Sequence, residues 1–266
     1  MENYLEVNRK SWDERVDFHA KSEFYSMKDF LQGESSLKSI ELDLLGDITG
    51  KKVLHLQCHF GQDSISLSRL GAEVTGVDFS SKAISLAREL AEKCGTTTQF
   101  VCSDVYTLPE VLKEEFDIVF TSYGTIGWLP DLQKWAGVIS HFLKPNGVFV
   151  FAEFHPVIWM FDDNFEKIAY GYSDKEAIIE TVRGTYADKN ADIELKTISW
   201  NHGLSDVMTS LLEQGLILDS FKEYFYSPYP CFNKVEEIRK GEYVISALEE
   251  KIPYVYSIKA HKSHSN

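Results

Sequence analysis

From residue 52 onward the apolar positions repeat one order: a short apolar run, a turn, then a stripe at helical spacing. Residues 53–57, 74–77, 99–102, 116–120 and 148–152 are short and mostly apolar, as strands buried on both faces are. The segments between them carry one apolar face each. Ile65, Leu67 and Leu70 make the first, stopped at Gly71. Ala83, Ile84, Ala87, Leu90 and Ala91 make the second, with Ser80 or Ser81 as N-cap and Gly95 at its end. Asp131, after Pro130, caps a third that carries Trp135, Val138, Ile139 and Phe142, and Lys144-Pro145-Asn146-Gly147 breaks it. Strand and helix in regular alternation predict an α/β chain: a parallel sheet with helices on both faces, because each right-handed crossover covers one side.

The alternation does not extend over the whole chain. The first 50 residues are mostly helical in pattern, with a helix over 7–16 and a further stretch ending near Leu45 and Gly46. Residues 178–186 and 193–200 predict two strands joined by a turn at Asp188, Lys189 and Asn190. The segment 157–203 is therefore an inserted β-hairpin; at about 45 residues it is too small for a core of its own. A helix capped by Ser205 follows, faced by Val207, Met208, Leu211 and Leu212 and ended by Gly215. Two late strands, over 216–225 and 254–260, flank a loop tract at 224–232 that is dense in aromatic residues.

Composition narrows the function. The 266 residues, 44% of them hydrophobic, suffice for one large domain with an insertion. Lys and Arg number 27 against 41 Asp and Glu, a net charge of −14, and the basic residues form no cluster. A nucleic-acid partner needs such a cluster and is not expected. No apolar run reaches the roughly 18 residues of a membrane span, so no membrane partner is expected either. The start, Met1-Glu2-Asn3-Tyr4, is acidic and polar and does not read as a secretory signal. Cys58, Cys94, Cys102 and Cys231 lack paired spacing, which predicts reduced thiols and a cytoplasmic location.

In open α/β sheets, ligands bind beyond the carboxyl ends of the strands. The first strand ends at Gln57-Cys58-His59-Phe60-Gly61 and the second at Asp78, about 20 residues on, the spacing of an acid that grips a ribose hydroxyl pair. A carboxylate suits that task because it accepts from both hydroxyls; the plainer reading is that Asp78 caps the helix starting near Ser80.

These residues resemble the class I S-adenosylmethionine-dependent methyltransferases. The resemblance lies in 53–61 and in Gly76-Val77-Asp78-Phe79-Ser80. It continues through Ser103-Asp104-Val105, Phe116-Asp117-Ile118-Val119-Phe120 and Leu143-Lys144-Pro145-Asn146-Gly147, and covers roughly residues 35–156. It implies a Rossmann-like, seven-stranded, mostly parallel sheet with the last strand antiparallel, and S-adenosylmethionine as cofactor. It also implies that Asp78 takes the ribose and that Asp104 and Val105 hold the adenine. His55, Gln57, Cys58, Gly61, Phe79, Ser103 and Ser122 complete the implied cofactor contacts. In that family the first loop is an acid-x-Gly-x-Gly-x-Gly run. Here the same four places hold His55, Gln57, His59 and Gly61, and only the last glycine is kept. A dinucleotide needs those glycines for its pyrophosphate, which weighs against a nucleotide-linked oxidoreductase. The Gln57 amide can serve a zwitterionic amino-acid tail, or it and His55 can bond within the strand end.

In that family a leading segment often closes the pocket, so residues 1–34, with Trp12, His19, Phe24 and Tyr25, are expected either to cover a methyltransferase domain at 35–266 or simply to pack against the sheet edge; the inserted segment 157–203 is expected on the acceptor side. The acceptor is expected to be a small molecule. His155, which closes the fifth strand before Pro156, is the first candidate for a base or orienting group, with Glu153 placed to orient its ring. His202 and Tyr123 are the competing candidates, and a structural role for His155 beside the insert is the alternative. His55, Cys58 and His59 come from one strand and point to alternating faces, so no metal site is expected. A non-catalytic cofactor-binding protein remains the rival from another class.

Overall fold

A computed structural model describes residues 3–263. Three helices lead: α1 (Tyr4–Lys21), α2 (Met27–Leu31) and α3 (Ser39–Leu45). The alternating stretch then runs β1 (Lys52–Leu56), α4 (Gln62–Arg69), β2 (Glu73–Asp78), α5 (Ser81–Lys93), β3 (Gln99–Cys102), α6 (Leu108–Val111), β4 (Phe116–Ser122), α7 (Leu132–Phe142) and β5 (Leu143–Phe154). The insert carries β6 (Ile178–Arg183) and β7 (Glu194–Ser199), and the chain closes with α8 (Leu204–Glu213), β8 (Leu216–Tyr224), β9 (Val235–Arg239), β10 (Glu242–Ile245) and β11 (Val255–Lys262).

Seven strands form one sheet in the order β3-β2-β1-β4-β5-β11-β8. The first five pair in parallel, and β11 runs antiparallel between β5 and β8. This is the Rossmann-like sheet expected from the sequence. Strand order reverses at β1, which lies between β2 and β4, so a crevice opens beyond the carboxyl ends of β1 and β4. β5 shows how both faces are covered. Phe149 and Phe151 pack with Trp135, Phe142 and Tyr256 on the α7 side, while Val150 and Ala152 pack with Ile40, Ile48 and Tyr254 on the α3 side. The α5 stripe is buried as read, and Ser80 caps that helix by accepting from Ala83 N at 3.0 Å.

β6 and β7 form the inserted hairpin as a separate antiparallel pair. Its roof partner is α1, which is longer than the 7–16 read from the pattern. The buried face of α1 includes Asn8, Ser11, Arg15 and His19, so a search for apolar periodicity undercounts it. Three other local readings change. The N-cap of α8 is Gly203, not Ser205: a Cβ at 203 would lie 2.8 Å from the Tyr172 ring, and Asp206 accepts Gly203 N at 3.0 Å to close the turn. Leu212 faces solvent. Lys144-Pro145-Asn146-Gly147 is a bulge within β5, since Phe116 pairs with Leu143 but Ile118 with Val148. The tract after the aromatic loop also holds a second small hairpin, β9–β10, turned at Gly241 with φ +74.

Candidate active site

The first loop keeps a glycine backbone without the glycines. Gln57 (φ 56), His59 (φ 52) and Gly61 (φ 80) all sit in the left-handed region, the three places where the family pattern has glycine. For a residue with a Cβ that conformation costs about 1–2 kcal/mol, so the strain is held by the surroundings. Cys58 N donates to Val77 O at 2.9 Å and His59 N to Asp78 Oδ2 at 2.9 Å, tying the loop to β2. Gly61 has no freedom to change, because a Cβ there would lie 2.5 Å from the Phe100 ring. The side chains turn aside. Gln57 Nε2 donates to Thr125 O at 2.8 Å across the crevice, and its Oε1 is buried with no partner. His55 Nδ1 lies 2.8 Å from Ser64 Oγ, and burial lowers its pKa to about 4, so the ring is neutral.

Asp78 is buried at the end of β2. Besides His59 N, it accepts Ser80 N at 2.8 Å on Oδ1. It supports the start of α5, although Ser80 is the cap. Burial pushes its carboxyl up to about 7 against the bonds from these backbone groups. Past β3, Asp104 accepts Tyr106 N at 2.9 Å, Ser103 Oγ donates to Asp104 O, and Val105 is buried beside them. Burial raises the Asp104 carboxyl. At the end of β4, Ser122 Oγ donates to Asp63 Oδ2 at 3.4 Å. All ten sequence-read cofactor positions (His55, Gln57, Cys58, Gly61, Asp78, Phe79, Ser103, Asp104, Val105 and Ser122) border one cavity of about 900 Å³.

The three candidates for proton handling separate. Tyr123 and His202 line that cavity, and His155 does not. His155 Nε2 lies 3.0 Å from Glu223 Oε1 on β8, its Nδ1 accepts Val157 N, and its own N–H donates to Tyr254 O. It fastens the sheet end to the start of the insert. Glu153 does not orient it; that buried carboxylate accepts from the backbone N–H groups of Gly124, Thr125 and Ile126 and shapes the loop after β4. Tyr123 stands in the left-handed region (φ 41) and donates its hydroxyl to Glu41 Oε2 at 2.8 Å. Glu41 is fully buried, which pushes its carboxyl up to about 7. His202 bonds Leu129 O through Nε2 at 2.7 Å, and burial lowers its pKa.

The far wall comes from α1, the insert and the aromatic tract. Trp12, Phe24 and Tyr25 line the cavity, with His19 packed behind them. Of the tract, Tyr229, Cys231 and Phe232 reach the cavity. Sequence reasoning missed Arg15, Glu41, Asp63, Trp128 and Tyr186. Arg15, Glu41 and Tyr186 sit far in the chain from the strand-end motifs, while Asp63 and Trp128 lie just beyond them; polar residues in a helix pattern read as solvated. The four cysteines are free, and among the described residues no helix is long and apolar enough to cross a membrane.

Comparison with known proteins agrees with this arrangement. Residues 53–147 match the family described as a methyltransferase domain. The uncharacterized methyltransferase YbaJ of Bacillus subtilis is 25% identical over 81% of this chain and 89% of its own. A ubiquinone biosynthesis O-methyltransferase of Photorhabdus laumondii is 34% identical over 38% of this chain, which spans only 42% of that enzyme. The crystal structure of an S-adenosylmethionine-dependent methyltransferase from Mesorhizobium loti shares the fold, with a TM-score of 0.58 at 19% identity over 87% of this chain and 100% of that one. The matched segment runs from β1 to the bulge in β5 and holds most of the cavity's strand-end residues. With its sheet order, this chain carries a methyltransferase domain over residues 53–147 and shares the fold of S-adenosylmethionine-dependent methyltransferases.

Proposed function

We propose that the cavity holds S-adenosylmethionine beside a small-molecule acceptor and that the chain transfers the methyl group between them. The observation that carries this reading is the convergence of Asp78, Asp104 and the left-handed first loop on one cavity at the switch point of the sheet. Its volume of about 900 Å³ is near the upper end for small-molecule sites and leaves room for two ligands. The donor set fits the cofactor. Each Asp78 oxygen accepts one backbone N–H, and an ionised carboxylate offers about four lone-pair sites, so capacity remains for two ribose hydroxyls. Asp104 and Val105 offer an acceptor and an apolar face to the adenine. The unpartnered Gln57 Oε1 suits the ammonium of the amino-acid tail.

When bound, the cofactor supplies an electrophilic methyl group on a sulfonium centre. The chain positions the acceptor, excludes water and receives a proton. Trp12, Trp128, Tyr123 and Tyr229 form dry walls, which favour a step in which charge is lost at the reacting centre. Tyr123 Oη and His202 orient the acceptor, and orientation supplies most of the rate in such a displacement. A proton received at Tyr123 Oη passes to Glu41 Oε2, whose carboxyl near 7 ionises on either side of neutrality. The leading segment within 1–34 is the cover, 35–266 the methyltransferase domain, and 157–203 its acceptor side. The net charge of −14 and the lack of a basic cluster favour a metabolite over nucleic acid, and four free cysteines suit the cytoplasm.

The test is a mass-spectrometric screen of cell extract with the purified chain and methyl-labelled cofactor. Label is expected in a small-molecule fraction. Label in RNA or DNA, or in no fraction, contradicts the reading.

A further inference from the structure

Aromatic rings from three distant segments meet a carboxylate in the cavity wall. Phe24 and Tyr25 come from the stretch between α1 and α2, Tyr123 follows β4, and Tyr229 lies in the aromatic tract after β8. The Tyr229 ring centre lies 5.2 Å from that of Tyr123, edge to face, and 5.6 Å from that of Phe24, stacked. Tyr25 packs on Phe24 at 5.1 Å, and its hydroxyl bonds that of Tyr186 on the insert. All four rings are half-buried and border the cavity, so they keep surface toward it. Asp63, in the first turn of α4, is likewise half-buried and borders the same cavity. Its Oδ1 accepts Ser36 Oγ at 2.6 Å, while Oδ2 holds only the long bond from Ser122 Oγ at 3.4 Å. This wall already draws positive charge: Lys38 Nζ lies 4.8 Å from the Tyr229 ring centre.

Asp63 and Glu41 bring two carboxyl groups to this wall against the one ammonium of Lys38, and among the described residues none of the three forms a salt bridge. With both acids ionised the wall is one positive charge short of balance. From this we infer that Asp63 and Tyr123, backed by the Tyr25 and Tyr229 rings, form the subsite for an amino group, and that the methyl acceptor is an amine. The inference rests on the proposal that the chain transfers a methyl group in this cavity. An aliphatic amine is protonated at neutral pH, which suits a carboxylate and the negative faces of aromatic rings. A phenol or a carboxylic acid attacks as an anion and would be repelled here. The bound ammonium gives one proton to Tyr123 Oη, whose own proton passes to Glu41 Oε2, 2.8 Å away. The freed lone pair forms the nitrogen–carbon bond as the carbon–sulfur bond breaks, and the electron pair of that bond stays on sulfur. The products are a methylated ammonium and S-adenosylhomocysteine. The cofactor's own ammonium is the group proposed for Gln57 Oε1, and the test separates the two.

The test is calorimetry at neutral pH of the S-adenosylhomocysteine-saturated parent chain and Asp63→Asn with benzylamine, benzyl alcohol and benzoate, a cation, a neutral molecule and an anion on one ring. Benzylamine is expected to bind the parent about tenfold or more tightly than benzyl alcohol, with benzoate weakest. Asp63→Asn should remove that preference and leave the affinity for S-adenosylhomocysteine unchanged. A parent that shows no preference for benzylamine, or a preference that survives in Asp63→Asn, overturns the subsite. Loss of S-adenosylhomocysteine affinity in Asp63→Asn gives the carboxylate to the cofactor's tail and overturns the acceptor assignment. Should Asp63→Asn not fold, the order of the three probes in the parent gives the reading, and benzoate bound as tightly as benzylamine overturns it. In the labelled-cofactor screen the methyl group is expected on nitrogen, and a product methylated on oxygen or carbon contradicts the amine. A parent chain that binds no S-adenosylhomocysteine refutes the cofactor proposal, while benzylamine against benzyl alcohol in the free chain still reads the subsite.

Discussion

Asn8 on α1 and Ile198 on β7 hold each other by two hydrogen bonds: Asn8 Nδ2 donates to Ile198 O at 2.7 Å, and Ile198 N donates to Asn8 Oδ1 at 2.9 Å. Both backbone groups of Ile198 thus point away from β6, and the Asn8 amide stands where a third strand would pair. One side chain joins the leading helix to the inserted hairpin, 190 residues apart in sequence, and closes the roof of the cavity.

Asn8→Ala should leave both Ile198 backbone groups unpaired in a buried place. The expected cost is about 1–3 kcal/mol of stability, with faster amide exchange at Ile198 than at the opposite strand, β6. Exchange at Ile198 that matches the parent would show that α1 is held by other contacts.

The left-handed backbone at Gln57 sets which substitutions it accepts. Gln57→Gly relieves strain but loses the bond to Thr125 O, so stability should stay within about 1 kcal/mol of the parent. Gln57→Val puts a branched Cβ at φ 56 and should cost at least about 2 kcal/mol. Denaturant unfolding measures both; equal costs would mean that the conformation at 57 does not matter.

Glu41 makes stability depend on pH in a definite direction. Its carboxyl ionises at about 7 when folded, against a usual value of 4.5. Between those values the folded chain holds a proton that the unfolded chain has lost, so this contribution falls as pH rises, and is flat outside the window. Glu41→Gln removes it. The stability of the variant relative to the parent should grow by up to about 3 kcal/mol from pH 4.5 to 7 and then level off. A difference that does not vary with pH would contradict the burial of this carboxyl in its ionisable form.

The parts of the molecule that were legible in the sequence are those where side chain and environment agree. The α5 stripe of Ala83, Ile84, Ala87, Leu90 and Ala91 is apolar and buried, and Asp78 and Asp104 end their strands where a sheet places its ligands. Legibility failed where polar residues are buried. Arg15 and His19 look like the wet face of a helix, yet they face inward under the hairpin. It failed also where backbone and residue type disagree: Gln57 and His59 adopt a conformation that only glycine would announce. His155 misled for a third reason. Its place at a strand end was right, but Glu223 on a strand 68 residues away draws the ring off the cavity, and that pairing leaves no local trace in the sequence.

The most direct measurement is calorimetric titration of S-adenosylhomocysteine into the parent chain and into Asp78→Ala, with folding of both checked by circular dichroism. Asp78 is the carboxylate proposed to take the ribose, and losing it should weaken a one-to-one complex by about 1.5–3 kcal/mol, roughly tenfold to a hundredfold. A parent chain that fails to bind S-adenosylhomocysteine, or a folded variant that binds it as tightly as the parent, would contradict the placement of the cofactor in this cavity.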